Sequence, residues 1–308
     1  MIRLEHVTKR FTKTLAVHDL SFTVEPGEVF GFIGPNGAGK TTTIKMISTL
    51  WEPTSGTIHV DGVSVTEYPE RVRQVLGYMA DDYGVYDGIQ VDEYIEFFAA
   101  AYRIPKNKRK AVCHDVMELT DLTGLRTKMV SDLSKGMKQR LCLARALVHD
   151  PKVLILDEPA AGLDPRARIE FRELVKELHS MGKTILLSSH ILSELADTVT
   201  TVGIIESGRL VVSGSVKDII RSLNRGIEVV ITVTDQPDKA MMLLSNNDKV
   251  EDVNATGNTL RVILKDESVK ASELIKQLVI NDILVESFHE EKQDLEKLFM
   301  QLTRGDVA

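Results

Sequence analysis

The sequence predicts an α/β protein with a largely parallel sheet, followed by a smaller α+β unit. Three observations carry this reading. Residues 29–33, 153–156 and 184–187 are short, dominantly apolar runs, the composition of strands buried on both faces. Helical patterns lie between such runs, as at 169–181, which is the α/β alternation. Beyond about residue 221 the rhythm changes to short alternating segments and helices in the order βαββαβ, with a last amphipathic helix. A chain of 308 residues also exceeds one comfortable core.

The elements follow in chain order. A strand over 28–33 stops at Gly34-Pro35-Asn36-Gly37, and a helix starts at Lys40 and runs to about Leu50. Residues 88–150 carry helical patterns at 91–101, 108–119 and 138–149 with no clear strand, so they form a helical insertion. Asp150-Pro151 turns the chain into strand 153–156. Helix 169–181 and strand 184–187 come next, then a hairpin of 199–205 with 209–212 through Ser207-Gly208. The tail reads as strand 228–234, helix 238–245, strands 250–254 and 259–264 around Gly257-Asn258, helix 269–279, strand 283–288 and helix 292–302. This order resembles a split-βαβ, ferredoxin-like sandwich. The expected domains are 1–221, with a helical subdomain at about 84–150, and 222–308.

Charge supports that boundary. The net charge is −7, and residues 222–308 hold 16 acidic against 10 basic side chains, leaving 29 against 28 for the first 221. A nearly neutral large domain offers no electrostatic footprint for nucleic acid. No stretch approaches the roughly 18 apolar residues of a membrane helix. Cys113 and Cys142 are the only cysteines, which excludes a disulfide scaffold and fits a reducing compartment.

Chemistry concentrates first at Gly34-Pro35-Asn36-Gly37-Ala38-Gly39-Lys40-Thr41, which has the spacing GxxxxGK(S/T) between an expected strand and an expected helix. In that context the pattern marks a phosphate-binding loop. Gly37 and Gly39 let the backbone curl so that successive N–H groups face one concavity, and the helix start adds unpaired N–H groups. Gly34, Pro35, Asn36, Gly37, Ala38, Gly39, Lys40, Thr41 and Thr42 are therefore the candidate contacts to a nucleotide. Lys40 reaches the β- and γ-phosphates, and the Thr41 hydroxyl suits Mg²⁺. The apolar strand 153–156 ends in Asp157-Glu158. Asp157 suits the metal, and Glu158 suits the general base that polarises a water.

A further motif selects the family. Leu133-Ser134-Lys135-Gly136-Met137-Lys138-Gln139-Arg140 opens a helix and resembles the LSGGQ signature of ABC ATPases. Ala161-Gly162-Leu163-Asp164-Pro165 resembles that family's D-loop, and His190, in Leu187-Ser188-Ser189-His190, its switch histidine. Phe11, before Leu15-Ala16-Val17, matches the aromatic that stacks on adenine. Five motifs in order, over about residues 1–215, make the resemblance specific. Lys135 stands where the pattern has glycine and Met137 where it has glutamine, while Ser134 and Gly136, the phosphate-contacting pair, remain. Asp81, in Asp81-Asp82 after Gly77-Tyr78-Met79-Ala80, takes the place of a glutamine that touches Mg²⁺ and the attacking water; Gln90 is a second candidate. Trp51 reads as packing at a helix exit, and Cys142 as core.

The resemblance implies a P-loop ATPase with ATP and Mg²⁺ as ligands, Glu158 as base, His190 holding the γ-phosphate and the water, and Ser134 with Gly136 closing the site of a second copy. One motif set per chain implies a dimer, expected to be a homodimer. With no membrane helix, transport requires separate integral membrane permease subunits. Tyr86, Tyr94, Phe97 and Phe98 are the candidate anchors for them, and the chain is expected to be cytoplasmic, peripheral on the inner face of the cell membrane. The stretch from Gly84-Val85-Tyr86 through Tyr94-Ile95-Glu96-Phe97-Phe98 and the closing Asp294-Leu295-Glu296-Lys297-Leu298-Phe299 helix resemble bacterial and archaeal exporter ATPases paired with separate membrane subunits. The alternative is a soluble ABC ATPase of translation or DNA maintenance, which usually carries two motif sets or a coiled-coil insertion. The tail's alternating apolar positions fit structural or dimer-contact roles.

Overall fold

The computed structural model describes residues 1–82, 84–191, 198–216, 218–219, 228–265 and 271–291. The chain divides into two compact units, Met1–Val216 and Lys217–Leu298. The expected helix 292–302 and the step between residues 221 and 222 lie outside the described residues.

The first unit contains two sheets. β1 (Ile2–Arg10), β2 (Leu15–Val24), β4 (Ser55–Val60) and β5 (Val63–Ser64) form an antiparallel sheet in the order β2-β1-β4-β5. This sheet was not expected. The three apolar runs and the expected hairpin enter the second, mixed sheet, which also gains an unexpected strand, β6: β3 (Val29–Ile33), β6 (Leu76–Met79), β7 (Val153–Leu156), β8 (Thr184–Ser189), β9 (Thr201–Glu206) and β10 (Arg209–Ser215), ordered β10-β9-β3-β8-β7-β6. β6, β7, β8, β3 and β9 run parallel, and β10 returns antiparallel through Ser207 and Gly208, both at positive φ. Phe22 stacks on Phe30 and Phe32 at 5.2 and 5.4 Å and joins the two sheets around one apolar core.

Helix α1 (Lys40–Ile47) follows β3, and α2 (Pro69–Val75) precedes β6. The helical insertion contains α3 (Val91–Ala101), α4 (Lys106–Leu119) and α5 (Lys135–Leu147), with no strand among its described residues. Gln90 opens α3 through a reciprocal capping box with Glu93. Helix α5 starts at Lys135, earlier than the expected 138, because Ser134 is its N-cap and accepts from the Met137 N–H. Helix α6 (Pro165–Ser180) likewise starts earlier than expected, with Asp164 capping the Ala167 N–H at 2.9 Å and Pro165 in the first turn.

The second unit has strands β11 (Glu228–Val233), β12 (Val250–Thr256), β13 (Thr259–Leu264) and β14 (Val285–Glu291), all antiparallel in the order β12-β13-β11-β14. Helices Pro237–Ser245 and Ala271–Ile280 complete the βαββαβ sequence. Val229, Ile231, Val233, Leu260, Val262 and Leu264 bury one sheet face with Leu244, Leu274 and Leu278 of these helices.

Candidate active site

The site forms where the parallel strands end. Register places Met79 beside Leu156, Leu156 beside Leu187, and Ile33 beside Ser189. The residues just past these ends therefore converge: Asp81 after β6, Asp157 and Glu158 after β7, His190 after β8, and the glycine loop after β3. Ligands of open α/β sheets bind at this edge.

The loop is tight because its glycines have no room for a side chain. A Cβ on Gly34 would stand 2.3 Å from the Ile205 carbonyl oxygen. One on Gly39 would stand 2.5 Å from the Ala16 carbonyl oxygen, and Gly39 has φ +102°, a conformation open to glycine. Gly39 is also the N-cap of α1, so the first free N–H groups of that helix face the loop's concavity. A cavity of about 200 Å³ results, lined by Thr14, Ala16, Asn36, Gly37, Gly39, Lys40, Thr41, Thr42, Asp81 and Glu158.

Lys40 is 5% exposed. Its ammonium donates to the Gly34 and Pro35 carbonyls at 2.6 and 3.2 Å and stands 3.4 Å from Glu158 Oε1. Burial lowers its pKa, and the carboxylate of Glu158 opposes that shift. Glu158 Oε2 pairs with His190 Nδ1 at 2.8 Å. Asp157 is 1% exposed. Its Oδ1 accepts from Ser188 Oγ at 2.6 Å and from Thr41 Oγ1 at 3.4 Å, while its Oδ2 is buried with no partner. Burial raises the pKa of Asp157, the two hydroxyl bonds oppose the rise, and the carboxylates of Asp81 and Glu158 add to it. Asp81 is also raised, first by burial and then by Glu158. A partnerless buried carboxylate oxygen beside a threonine hydroxyl is a donor set that fits Mg²⁺, a hard cation that takes few protein oxygens and keeps phosphates and waters.

The other candidates fall elsewhere. Ser134 and Gly136 line a separate cavity of about 530 Å³ with Arg140, Gly162, Leu163 and Arg166. Lys135 reaches over Gly162, so that a Cβ there would meet its ammonium. Phe11 is exposed and does not line the 200 Å³ cavity; its ring meets Trp51 edge-on at 5.2 Å. Trp51 thus packs on the candidate adenine platform, a contact that sequence reading missed. Gln90 is occupied in capping and lines none of these cavities. Of the aromatic anchors, Tyr86 and Phe97 are exposed and Phe98 is half-buried. Tyr94 is corrected: it is fully buried, with its hydroxyl accepting from Arg145 at 3.2 Å, so it belongs to the subdomain core. Ser188 also escaped the sequence reading, because its place between Asp157 and Glu158 depends on strand register.

Comparison with known proteins bears on the family and the fold. Residues 17–161 match the protein family described as ABC transporter. The linearmycin resistance ATP-binding protein LnrL of Bacillus subtilis (strain 168) is 30% identical along 98% of both chains. The Nod factor export ATP-binding protein I of Burkholderia pseudomallei (strain 1710b) is 39% identical over 221 residues, 72% of this chain and 73% of that one. A solved structure, the ATP binding subunit of an ABC transporter, matches with a TM-score of 0.66 at 31% identity, covering 72% of this chain and 92% of the other.

Proposed function

This chain belongs to the ABC transporter family as an ATP-hydrolysing, ATP-binding subunit, and on that premise we propose that it powers a membrane exporter as one half of a head-to-tail pair. The observation that carries the proposal is a division within the first unit. Lys40, Thr41, Asp157, Glu158 and His190 gather at one sheet edge, whereas Ser134 and Gly136 line a different cavity. A second copy, turned head to tail, supplies the missing wall and gives two equivalent sites.

Each residue then has a role. The loop N–H groups and Lys40 hold the phosphates of ATP. Thr41 and Asp157, with Asp81 at the cavity wall, would hold Mg²⁺, which when bound neutralises charge on the phosphates. Glu158 takes the proton of the water that attacks the γ-phosphorus in line, the bond to the bridging oxygen breaks, and ADP leaves with phosphate. His190 holds Glu158 in place through the 2.8 Å bond and in this reading holds the γ-phosphate and the attacking water. Phe11 stacks on adenine. ATP binding closes the pair and hydrolysis releases it, which drives a change in the permease. Tyr86 and Phe97 offer exposed aromatic surface for that partner. No helix among the described residues is long and apolar enough to cross a membrane. In this reading the pair works on separate permease subunits at the inner face of the membrane. Two relatives whose names speak of resistance and export support the direction of transport. The βαββαβ order of the second unit's described residues supports reading the tail, 222–308, as a ferredoxin-like accessory domain.

Mixing tests the composite site. Lys40→Ala and Ser134→Ala should each be inactive alone. A mixed pair contains one site with Lys40 from one copy and Ser134 from the other, both intact. Recovery of up to half the wild-type turnover per mixed pair supports the proposal. No recovery from mixtures that form mixed pairs overturns it.

A further inference from the structure

We infer that Ser188 is a positioning residue that sets both carboxylates of the hydrolytic site with one hydroxyl. The inference rests on the reading of Asp157 as metal holder and Glu158 as base. Ser188 lies in β8, fully buried, one step beyond the point where Leu187 pairs with Leu156 of β7. A hydroxyl has one proton to donate and lone pairs to accept. Ser188 Oγ donates to Asp157 Oδ1 at 2.6 Å, the short distance of a charge-assisted bond, and accepts from the Glu158 N–H at 2.9 Å.

The two bonds do different things. The first engages Oδ1 and leaves Oδ2, buried and partnerless, for a cation. The second ties down the backbone of Glu158, whose φ is +46°, a left-handed conformation that costs a residue bearing a Cβ and persists when its surroundings hold it. The Glu158 side chain is aimed from that backbone toward His190 and Lys40. Without the hydroxyl, Asp157 Oδ1 keeps only the longer 3.4 Å contact from Thr41. Ser188 stands two residues before the switch histidine His190, and sequence reading gave it no role of its own.

The test compares Ser188→Ala, Ser188→Thr and Glu158→Gln with the wild type. Five quantities are read: ATP binding in EDTA, Mn²⁺ binding by electron paramagnetic resonance with a non-hydrolysable ATP analogue, kcat, KM for ATP, and the thermal melt. Removing a group that orients a metal ligand costs roughly 10- to 100-fold in metal affinity or activity. Ser188→Ala should therefore bind ATP in EDTA like the wild type, hold Mn²⁺ about tenfold more weakly or worse, and lose about 10- to 100-fold in kcat with little change in KM. Ser188→Thr, which keeps the hydroxyl, should restore both. Wild-type Mn²⁺ affinity and kcat in Ser188→Ala, or a folded Ser188→Thr as poor as Ser188→Ala, overturns the inference. If Ser188→Ala fails to fold, Ser188→Cys, similar in size but a weak donor, is read in the same way. Normal turnover in Glu158→Gln would instead remove the underlying reading of the carboxylates.

Discussion

Replacing Asp157 by Asn should make the protein more stable and nearly inactive. Asp157 is 1% exposed, and its Oδ2 has no hydrogen-bond partner. A buried acceptor left unsatisfied costs about 1–3 kcal/mol, and more when charged. Asn keeps the shape and an Oδ1 that accepts from Ser188 and Thr41. It removes the charge and the repulsion from Asp81 and Glu158, but its amide N–H groups take over the partnerless position. The net gain is therefore about 1–2 kcal/mol. In a unit of this size each kcal/mol moves Tm by about 2–4 °C, so the rise should be about 2–8 °C. The assay is a melt followed by emission of Trp51, the only tryptophan of the chain and part of the first unit, without nucleotide or divalent metal. The pH dependence has a definite sign. A carboxyl whose folded pKa is raised binds its proton more tightly folded than unfolded, so its cost is present above the folded pKa and fades as pH falls through it. The gap between Asp157→Asn and wild type should accordingly narrow toward acid pH. A melt at or below that of wild type near neutral pH would refute the reasoning that Asp157 is held at a cost to stability.

Two other variants probe the nucleotide contacts. Gly39→Ala puts a Cβ 2.5 Å from the Ala16 carbonyl oxygen at a φ of +102°, so ATP binding should fall at least about tenfold, read by titration with a fluorescent ATP analogue. Trp51 touches Phe11 at 5.2 Å, so ATP should change Trp51 emission in the wild type and have little effect in Phe11→Ala.

Legibility followed the range of the interactions. The parallel strands 29–33, 153–156 and 184–189 were readable because burial on both faces leaves contiguous apolar runs, whereas β6, Leu76-Gly77-Tyr78-Met79, has no such run and was not read; the glycine loop was readable because its chemistry lies in consecutive residues. The antiparallel sheet of β1, β2, β4 and β5 was not readable. Its alternation is broken by irregular pairing between Leu4 and Val7, near His6 and Asp19, which both take positive φ. Tyr94 was misplaced because an aromatic in a helix signals burial or docking without saying which face meets the core. Ser188 and Trp51 act through pairings between distant segments, so no local spacing announces them. The signature helix start was readable as Ser-x-Gly, but its true first residue needed the cap geometry of Ser134.

The most direct measurement is steady-state ATP hydrolysis beside ATP binding for the wild type and Glu158→Gln. With Glu158 as the base, held by His190 at 2.8 Å and facing Lys40 at 3.4 Å, the substitution should leave ATP affinity within a few-fold and lower turnover by about 10²-fold or more. Turnover equal to that of the wild type in Glu158→Gln would contradict it.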